Sequence, residues 1–86
     1  MKESRNIKIK RLKLRSMRRG IKELDLLLDR FAQTRLDLMQ DEQLSLYDRL
    51  LHEHDLDIFQ WLIGQKKAPV SYRNLIDDII IINHPK

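Results

Sequence analysis

Residues 21–31 read Ile-Lys-Glu-Leu-Asp-Leu-Leu-Leu-Asp-Arg-Phe, and this stretch has the clearest helical pattern in the chain. When residues are placed about 100° apart around a helix, most of its apolar side chains fall into one stripe, as in a helix that packs on a core. The stripe consists of Ile21, Leu24, Leu27, Leu28 and Phe31. The sequence therefore predicts a core helix over about residues 20–35.

The opposite face of this predicted helix is charged. Arg19, Glu23 and Arg30 fall within about 40° of one another on it, and Arg19 and Glu23 have the spacing of a surface ion pair. Leu26 lies among these charges. A single exposed leucine usually has no special role, but beside a charged cluster it is a candidate contact for a partner protein.

Other helices are predicted on both sides of this one, because Gly and Pro number only two each and turn signals are scarce. Residues 41–53 form the third predicted helix. A linker over residues 66–69 precedes a last helix, for which Ser71 is the predicted cap. The inward positions of these two helices are Leu44, Tyr47, Leu50, Leu51, Leu75, Ile76, Ile79 and Ile80.

A short fourth helix is predicted between them. Asp55 is a suitable N-cap for a helix that runs to Ile63, and Gly64 suits the left-handed position that ends it. Within this helix, we expect Trp61 to pack in the core together with Leu62.

The first helix is the least clear, because residues 7–15 alternate between apolar and basic side chains as a strand would. An isolated strand is not stable, and no second strand-like segment lies nearby. We therefore predict a basic first helix over residues 8–18, after a flexible segment at residues 1–7, and a short tail at residues 83–86. The chain is expected to be all-α, a single small bundle of about five short helices.

Charge is divided unevenly along the chain. Residues 1–20 carry nine Lys or Arg against Glu3 alone, giving +8, whereas residues 21–86 carry a net charge of −4. A basic segment of this kind suits nucleic acid, an anionic membrane or an acidic protein surface. It is too poor in Ser and Ala for a typical transit peptide, so we read it as part of the mature domain.

Several classes of function find no support in the sequence. There is no Cys, and the longest purely apolar run, Ile79 to Ile82, is far too short to span a membrane. His52 and His54 would diverge on a helix rather than share a metal ion. Without a catalytic triad or a G-x-G-x-x-G loop, we expect no catalytic residue, no metal site, no FAD site of its own and no enzymatic activity.

Two motifs remain. The first, Arg-Arg-Gly-Ile-Lys-Glu at residues 18–23, contains R-G-x-x-E, and the second, at residues 55–62, has the form D-x-D-x-F-x-W-L. In purely structural terms, the arginines suit the C-terminus of the first helix, and Gly20 suits a left-handed cap before the next helix. That interpretation leaves Glu23 unexplained.

Together the two motifs resemble those of the small all-helical assembly factors that promote covalent attachment of FAD to the flavoprotein subunit of succinate dehydrogenase. The resemblance covers about residues 15–80. It implies a chaperone whose partner is this flavoprotein subunit, with that of fumarate reductase as a second candidate. The FAD would belong to the client. The location would be the bacterial cytoplasm, or the mitochondrial matrix in a eukaryote.

The resemblance also implies a partner-binding surface. Arg19 and Glu23 would be its polar anchors. Gly20 would let the client approach closely, and Arg18 would add steering charge. The predicted partner-binding residues are Arg18, Arg19, Gly20, Glu23, Leu26 and Asp57.

An alternative from another class is a small RNA- or ribosome-associated protein that uses residues 2–19 as a phosphate-binding arm. Its nucleic-acid affinity would fall steeply with salt. The arm has no aromatic residue on which bases can stack, and the acidic remainder of the chain would repel RNA. We therefore do not expect nucleic acid as a partner.

Overall fold

The computed structural model describes residues 3–84, which form five α-helices and no strand. Two single 3₁₀ turns, at Leu36–Leu38 and Val70–Tyr72, precede α3 and α5. The prediction of an all-α bundle is confirmed. The helices are α1 (Arg5–Ser16), α2 (Lys22–Arg35), α3 (Asp41–Leu50), α4 (Asp55–Leu62) and α5 (Arg73–Asn83).

The bundle is organised around α2, which packs against α1, α4 and α5. Its buried stripe contains Leu24, Leu28 and Phe31, as predicted, whereas Ile21 and Leu27 are only partly buried at the margin of the core. The other helices contribute Ile9 and Leu12 from α1, Leu44, Tyr47 and Leu50 from α3, Ile58 and Leu62 from α4, and Leu75, Ile76 and Ile79 from α5. None of the helices within residues 3–84 has both the length and the apolar character needed to cross a membrane.

Helix α1 begins earlier than predicted. The hydroxyl of Ser4 accepts a hydrogen bond from the amide of Ile7 at 3.2 Å, so Ser4 caps the helix and residues 5–7 are helical rather than flexible. The helix also ends at Ser16 rather than at residue 18. The first two residues of the predicted flexible segment lie outside the described part of the chain.

The strand-like alternation in this segment is misleading because only some of its apolar residues are buried. Ile9 and Leu12 lie in the core, whereas Ile7 and Leu14 are exposed. Ile9, Leu12 and Ser16 follow the helical spacing of one buried face. The helical interpretation of this segment is therefore confirmed.

The ends of α3 and α5 also differ from the predictions. Helix α3 ends at Leu50, three residues early. Ser71 lies inside the 3₁₀ turn Val70–Tyr72 and does not cap α5. Helix α5 reaches Asn83, where the tail was expected to begin, and the last two residues of that tail fall outside the described residues.

Trp61 was wrongly predicted to lie in the core, whereas Leu62 does lie there. Ile58 and Leu62, four residues apart, form the buried face, whereas Phe59 and Trp61 are both only partly buried. The ring of Trp61 packs beside that of Tyr72, with centroids 5.9 Å apart. Trp61 therefore covers the core rather than filling it.

A buried polar pair fixes the end of α1. The hydroxyls of Ser16 and Tyr47 lie 2.6 Å apart, and the Ser16 hydroxyl also donates to the carbonyl oxygen of Leu12 at 2.8 Å. Burial raises the pKa of Tyr47 well above its usual value, so its hydroxyl stays protonated. Because both side chains are fully buried, this pair holds the last turn of α1 in a defined position on α3.

A row of polar contacts runs along α1 and α3. The contacts ascend in residue number on both helices, so the two helices run in the same direction. The pairs are Arg5 with Asp41 at 3.1 Å, Lys8 with Ser45 at 2.8 Å and Arg11 with Asp48 at 2.9 Å. The positive charge of the N-terminal segment is thus partly neutralised by the acidic remainder of the chain, which weakens the case for a free phosphate-binding arm.

Arg11 is the centre of this row. Its guanidinium hydrogen-bonds Asp48 through two nitrogens and also pairs with Glu3 at 2.8 Å. The hydrogen bonds from Arg11 hold the pKa values of both carboxyl groups below their usual range. These ion pairs therefore favour the folded state only while the carboxyl groups are ionised.

We predict that Arg11→Met lowers the free energy of unfolding by about 1 kcal/mol at neutral pH, because Asp48 loses a partly solvated ion pair. A depressed folded-state pKa contributes stability above the unfolded value, and this contribution is lost as the pH falls through the folded value. The difference between variant and wild type should therefore shrink below about pH 4. Urea unfolding at neutral and acidic pH measures it.

Lys10→Met is the matched control, since Lys10 is exposed and makes no ion pair within residues 3–84. It should change the free energy of unfolding by less than about 0.5 kcal/mol at either pH. Equal losses in the two variants would show that the Arg11 contacts contribute nothing specific.

Candidate functional site

The Arg-Arg-Gly segment lies in the connection between α1 and α2 and belongs to neither helix. Helix α1 ends before Met17, and α2 begins only at Lys22. The residue in the left-handed region is Arg18, with φ 59°, whereas Gly20 does not have a positive φ. The purely structural interpretation, in which Gly20 supplies a left-handed cap, is therefore wrong.

The side chain of Arg19 points inward and is only 11% exposed. Its Nε donates to Oδ1 of Asp55 at 2.9 Å, and its Nη2 lies 2.7 Å from the same oxygen. Nη2 also donates to the carbonyl oxygen of Leu51 at 2.8 Å, and Nη1 donates to that of Arg15 at 3.0 Å. Arg19 thus joins the C-terminal ends of α1 and α3 to the N-terminus of α4.

The placement of Arg19 also corrects a prediction. It was expected on the outer face of the second helix beside Glu23. Because α2 begins only at Lys22, Arg19 lies outside that helix and pairs with Asp55 instead. Its role in the structure is to position the connection rather than to present a charge to solvent.

Gly20 lies against the other oxygen of the same carboxylate. Its amide donates to Oδ2 of Asp55 at 2.6 Å. A Cβ atom at this position would lie 3.1 Å from Oδ2, closer than side chains normally tolerate. The structure therefore favours glycine here because of the close approach of Asp55 and not because of the backbone torsion angle.

Asp55 and Asp25 are the acids that hold the connection. Asp55 was predicted as a helix cap, but the cap position belongs to His54, and both oxygens of Asp55 are occupied by Arg19 and Gly20. The carboxylate of Asp25, in the first turn of α2, accepts a hydrogen bond from the backbone amide of Arg19. These two roles were missed, although both acids lie within or beside the quoted motifs.

The remaining predicted partner-binding residues lie nearer the surface. Glu23 and Leu26 are exposed on α2, where their spacing places them on one face, and Leu26 is 62% exposed. The side chains of Glu23 and Asp57 make no hydrogen bond or ion pair within residues 3–84. Asp57 is partly buried in the first turn of α4.

The two central histidines lie in different surroundings. Nδ1 of the His52 ring lies 2.8 Å from the carbonyl oxygen of Asp48. His54 precedes α4 as its cap residue. Within residues 3–84, no group of three or more His, Asp and Glu side chains is arranged to hold a metal ion.

We predict that Arg19→Ala lowers the free energy of unfolding by about 3 kcal/mol, because it leaves a partly buried carboxylate and two carbonyls without their donor. Asp55→Ala should lower the free energy of unfolding by about 2 kcal/mol, because the guanidinium of Arg19 loses its anion. The double variant should lose less than the sum, with a coupling of about 1–2 kcal/mol. Urea unfolding of all four proteins gives this coupling energy. Strictly additive losses would contradict the pairing.

Comparison with known proteins identifies the family. Residues 10–82 match the family described as flavinator of succinate dehydrogenase. Three relatives named succinate dehydrogenase assembly factor 2, mitochondrial, show the range of similarity. That of Schizosaccharomyces pombe is 42% identical over 72 residues, covering 84% of this chain and 52% of the relative. That of Meyerozyma guilliermondii is 52% identical over 59 residues, covering 69% of this chain and 44% of the relative.

The relative from Danio rerio is 38% identical over 80 residues, covering 91% of this chain and 51% of the relative. The chain thus spans about half the length of these curated relatives. The family match extends over most of the chain and includes both motifs and the helices that carry them. The chain belongs to the flavinator of succinate dehydrogenase family, the assembly factors of that enzyme.

Proposed function

We propose that this chain binds the flavoprotein subunit of succinate dehydrogenase and promotes the covalent attachment of FAD to it. One observation carries the proposal: the R-G-x-x-E and D-x-D motifs, which lie far apart in sequence, meet through Asp55 in a chain of this family. The names of the relatives, which describe assembly factors of the same enzyme, support it.

The proposed client-binding surface combines the connection with the outer faces of two helices. Glu23 is exposed, and no cation among residues 3–84 neutralises it, so its charge is available to a partner. Leu26 adds exposed apolar area one turn further along α2. Arg18 and Gly20 are exposed beside them in sequence, and Asp57 contributes from the first turn of α4.

Arg19 belongs to this surface as a positioning residue. Its guanidinium is occupied by Asp55 and two carbonyl oxygens, so it fixes the path of the backbone that leads into α2. A connection already held in one conformation loses less conformational entropy when a partner binds. The surface is therefore ordered before the client arrives.

The covalent chemistry is assigned to the client and its flavin. In this proposal the factor is not an enzyme and has no FAD site of its own. It favours one conformation of the client by binding that conformation more tightly. Raising a conformation from about 1% to about half of the client molecules requires roughly a hundredfold difference in affinity between the two conformations.

The flavoprotein subunit of fumarate reductase is a second proposed client, because the resemblance of the two motifs implies it as well. The factor would act where its client folds, which is the cytoplasm of a bacterium or the mitochondrial matrix of a eukaryote. The relatives named above carry the word mitochondrial in their names, in agreement with the second location for eukaryotic members.

We predict that Glu23→Ala slows flavin attachment about fivefold or more when the factor is limiting, with little loss of stability. Purified factor, free FAD and the flavoprotein subunit without covalent FAD are mixed, and flavin fluorescence is measured on the denatured subunit. Gly20 variants are less suitable, because a side chain there also disturbs Asp55.

Glu42→Ala is a closely matched control. Glu42 is the second residue of α3, as Glu23 is of α2, and it too is exposed. Each variant loses a carboxylate that interacts favourably with a helix N-terminus, so their unfolding curves should be alike. If Glu23→Ala attaches flavin as fast as Glu42→Ala and wild type, Glu23 does not bind the client.

A further inference from the structure

An open groove next to the Arg19–Asp55 pair carries positive charge. Arg19 and Asp55 offset each other's charge inside it. The net charge of the groove therefore comes from Arg15 and Arg18. The groove, called the cationic groove below, is lined by Arg15, Met17, Arg18, Arg19, Leu51, His52 and Asp55.

Arg15 and Arg18 differ from three other cations of the N-terminal segment, which are paired. Arg5, Arg11 and Lys13 each pair with an acid of the chain. The side chains of Arg15 and Arg18 are exposed and have no acidic partner among residues 3–84. The acid nearest to them in the groove, Asp55, already has both oxygens occupied.

The backbone conformation of Arg18 is also unusual. It is the one non-glycine residue among residues 3–84 with a positive φ, at 59°. Glycine or asparagine adopts this conformation at lower cost than arginine does. The turn alone therefore does not account for an arginine at this position, and strained residues of this kind concentrate at functional sites.

We infer that the cationic groove binds a carboxylate-bearing segment of the client flavoprotein. Guanidinium groups pair with carboxylates in a two-point geometry, and two unpaired arginines line the groove. The groove is wide open, which suits a protein segment better than a small molecule that must be largely enclosed. This inference rests on the proposed function and names the chemistry that its surface recognises.

The groove is also placed to act together with the proposed client-binding surface. Arg18 is separated from Gly20 by one residue, and Arg18 and Arg19 belong to both regions. A client seated over Gly20 and Glu23 would therefore bring adjacent chain close to the cationic groove. Charge complementarity at this edge would speed association and fix the orientation of the client.

Arg18→Gly tests the inference, because its two effects should have opposite signs. Removing the unfavourable φ should raise the Tm by about 2–4 °C. Affinity for the flavoprotein subunit should nevertheless fall about fivefold at about 50 mM salt, and the difference should shrink at about 500 mM. Binding is measured by titration calorimetry with client prepared without FAD.

Arg15→Gln provides a second test that leaves the turn unchanged, and it should weaken binding in the same direction. Lys67→Gln is the control for loss of one charge, since Lys67 is exposed and lies beyond the opposite end of α4. It should bind the client as wild type does.

The possible results separate the inference from the function on which it rests. If wild type does not bind the client, the proposed function fails. If wild type binds but the Arg18→Gly and Arg15→Gln variants bind equally well, the inference alone is overturned. It is also overturned if their defect appears only when FAD is present, because the anion would then be the flavin phosphate. A salt-sensitive defect without FAD supports it.

Discussion

The ion pair between Arg19 and Asp55 is the interaction on which the arrangement of the site depends. One arginine side chain, 11% exposed, makes contact with three helix ends through the three nitrogens of its guanidinium. Carbonyl groups at helix C-termini carry partial negative charge, so the positive charge of Arg19 interacts favourably with both carbonyl groups as well as with Asp55. Because both side chains are partly buried, loss of either charge leaves the other less well solvated than it would be in water.

The rest of the bundle brings these helix ends together. The apolar stripe of α2 holds α1, α4 and α5 around it, and the Ser16–Tyr47 pair fixes the last turn of α1 against α3. The polar row between α1 and α3 sets the direction in which α1 lies. This placement of α1 and α3 lets the carbonyl groups of Arg15 and Leu51 both face the guanidinium of Arg19.

The fold was largely predictable from the sequence, because apolar spacing reports burial. Leu24, Leu28 and Phe31 identified the core face of α2 correctly. Helix ends were less predictable, since they depend on local hydrogen bonds such as that of Ser4 and on contacts made after folding. Trp61 was misplaced because Ile58 and Leu62 provide a complete buried face without it.

The site was predicted in its residues but not in its geometry. The motifs identified Arg19 and Gly20, yet placing both on a helix gave Arg19 an outward direction. Sequence spacing carries no information on the partner that a side chain finds some thirty-five residues away, and Asp55 is that partner for both residues. Asp55 therefore holds Arg19 and Gly20 in position, whereas the exposed Glu23 is available to a client.

Amide hydrogen exchange at Gly20 tests most directly whether Asp55 joins the two motifs. Gly20 is an exposed residue, but its amide is bonded to Asp55, so it should exchange at least about a hundredfold more slowly than an unstructured amide. Asp55→Ala should abolish this protection while the amide of Leu28, within α2, stays protected. Rapid exchange of Gly20 in the wild-type protein, at the rate of an unstructured peptide, would contradict the account.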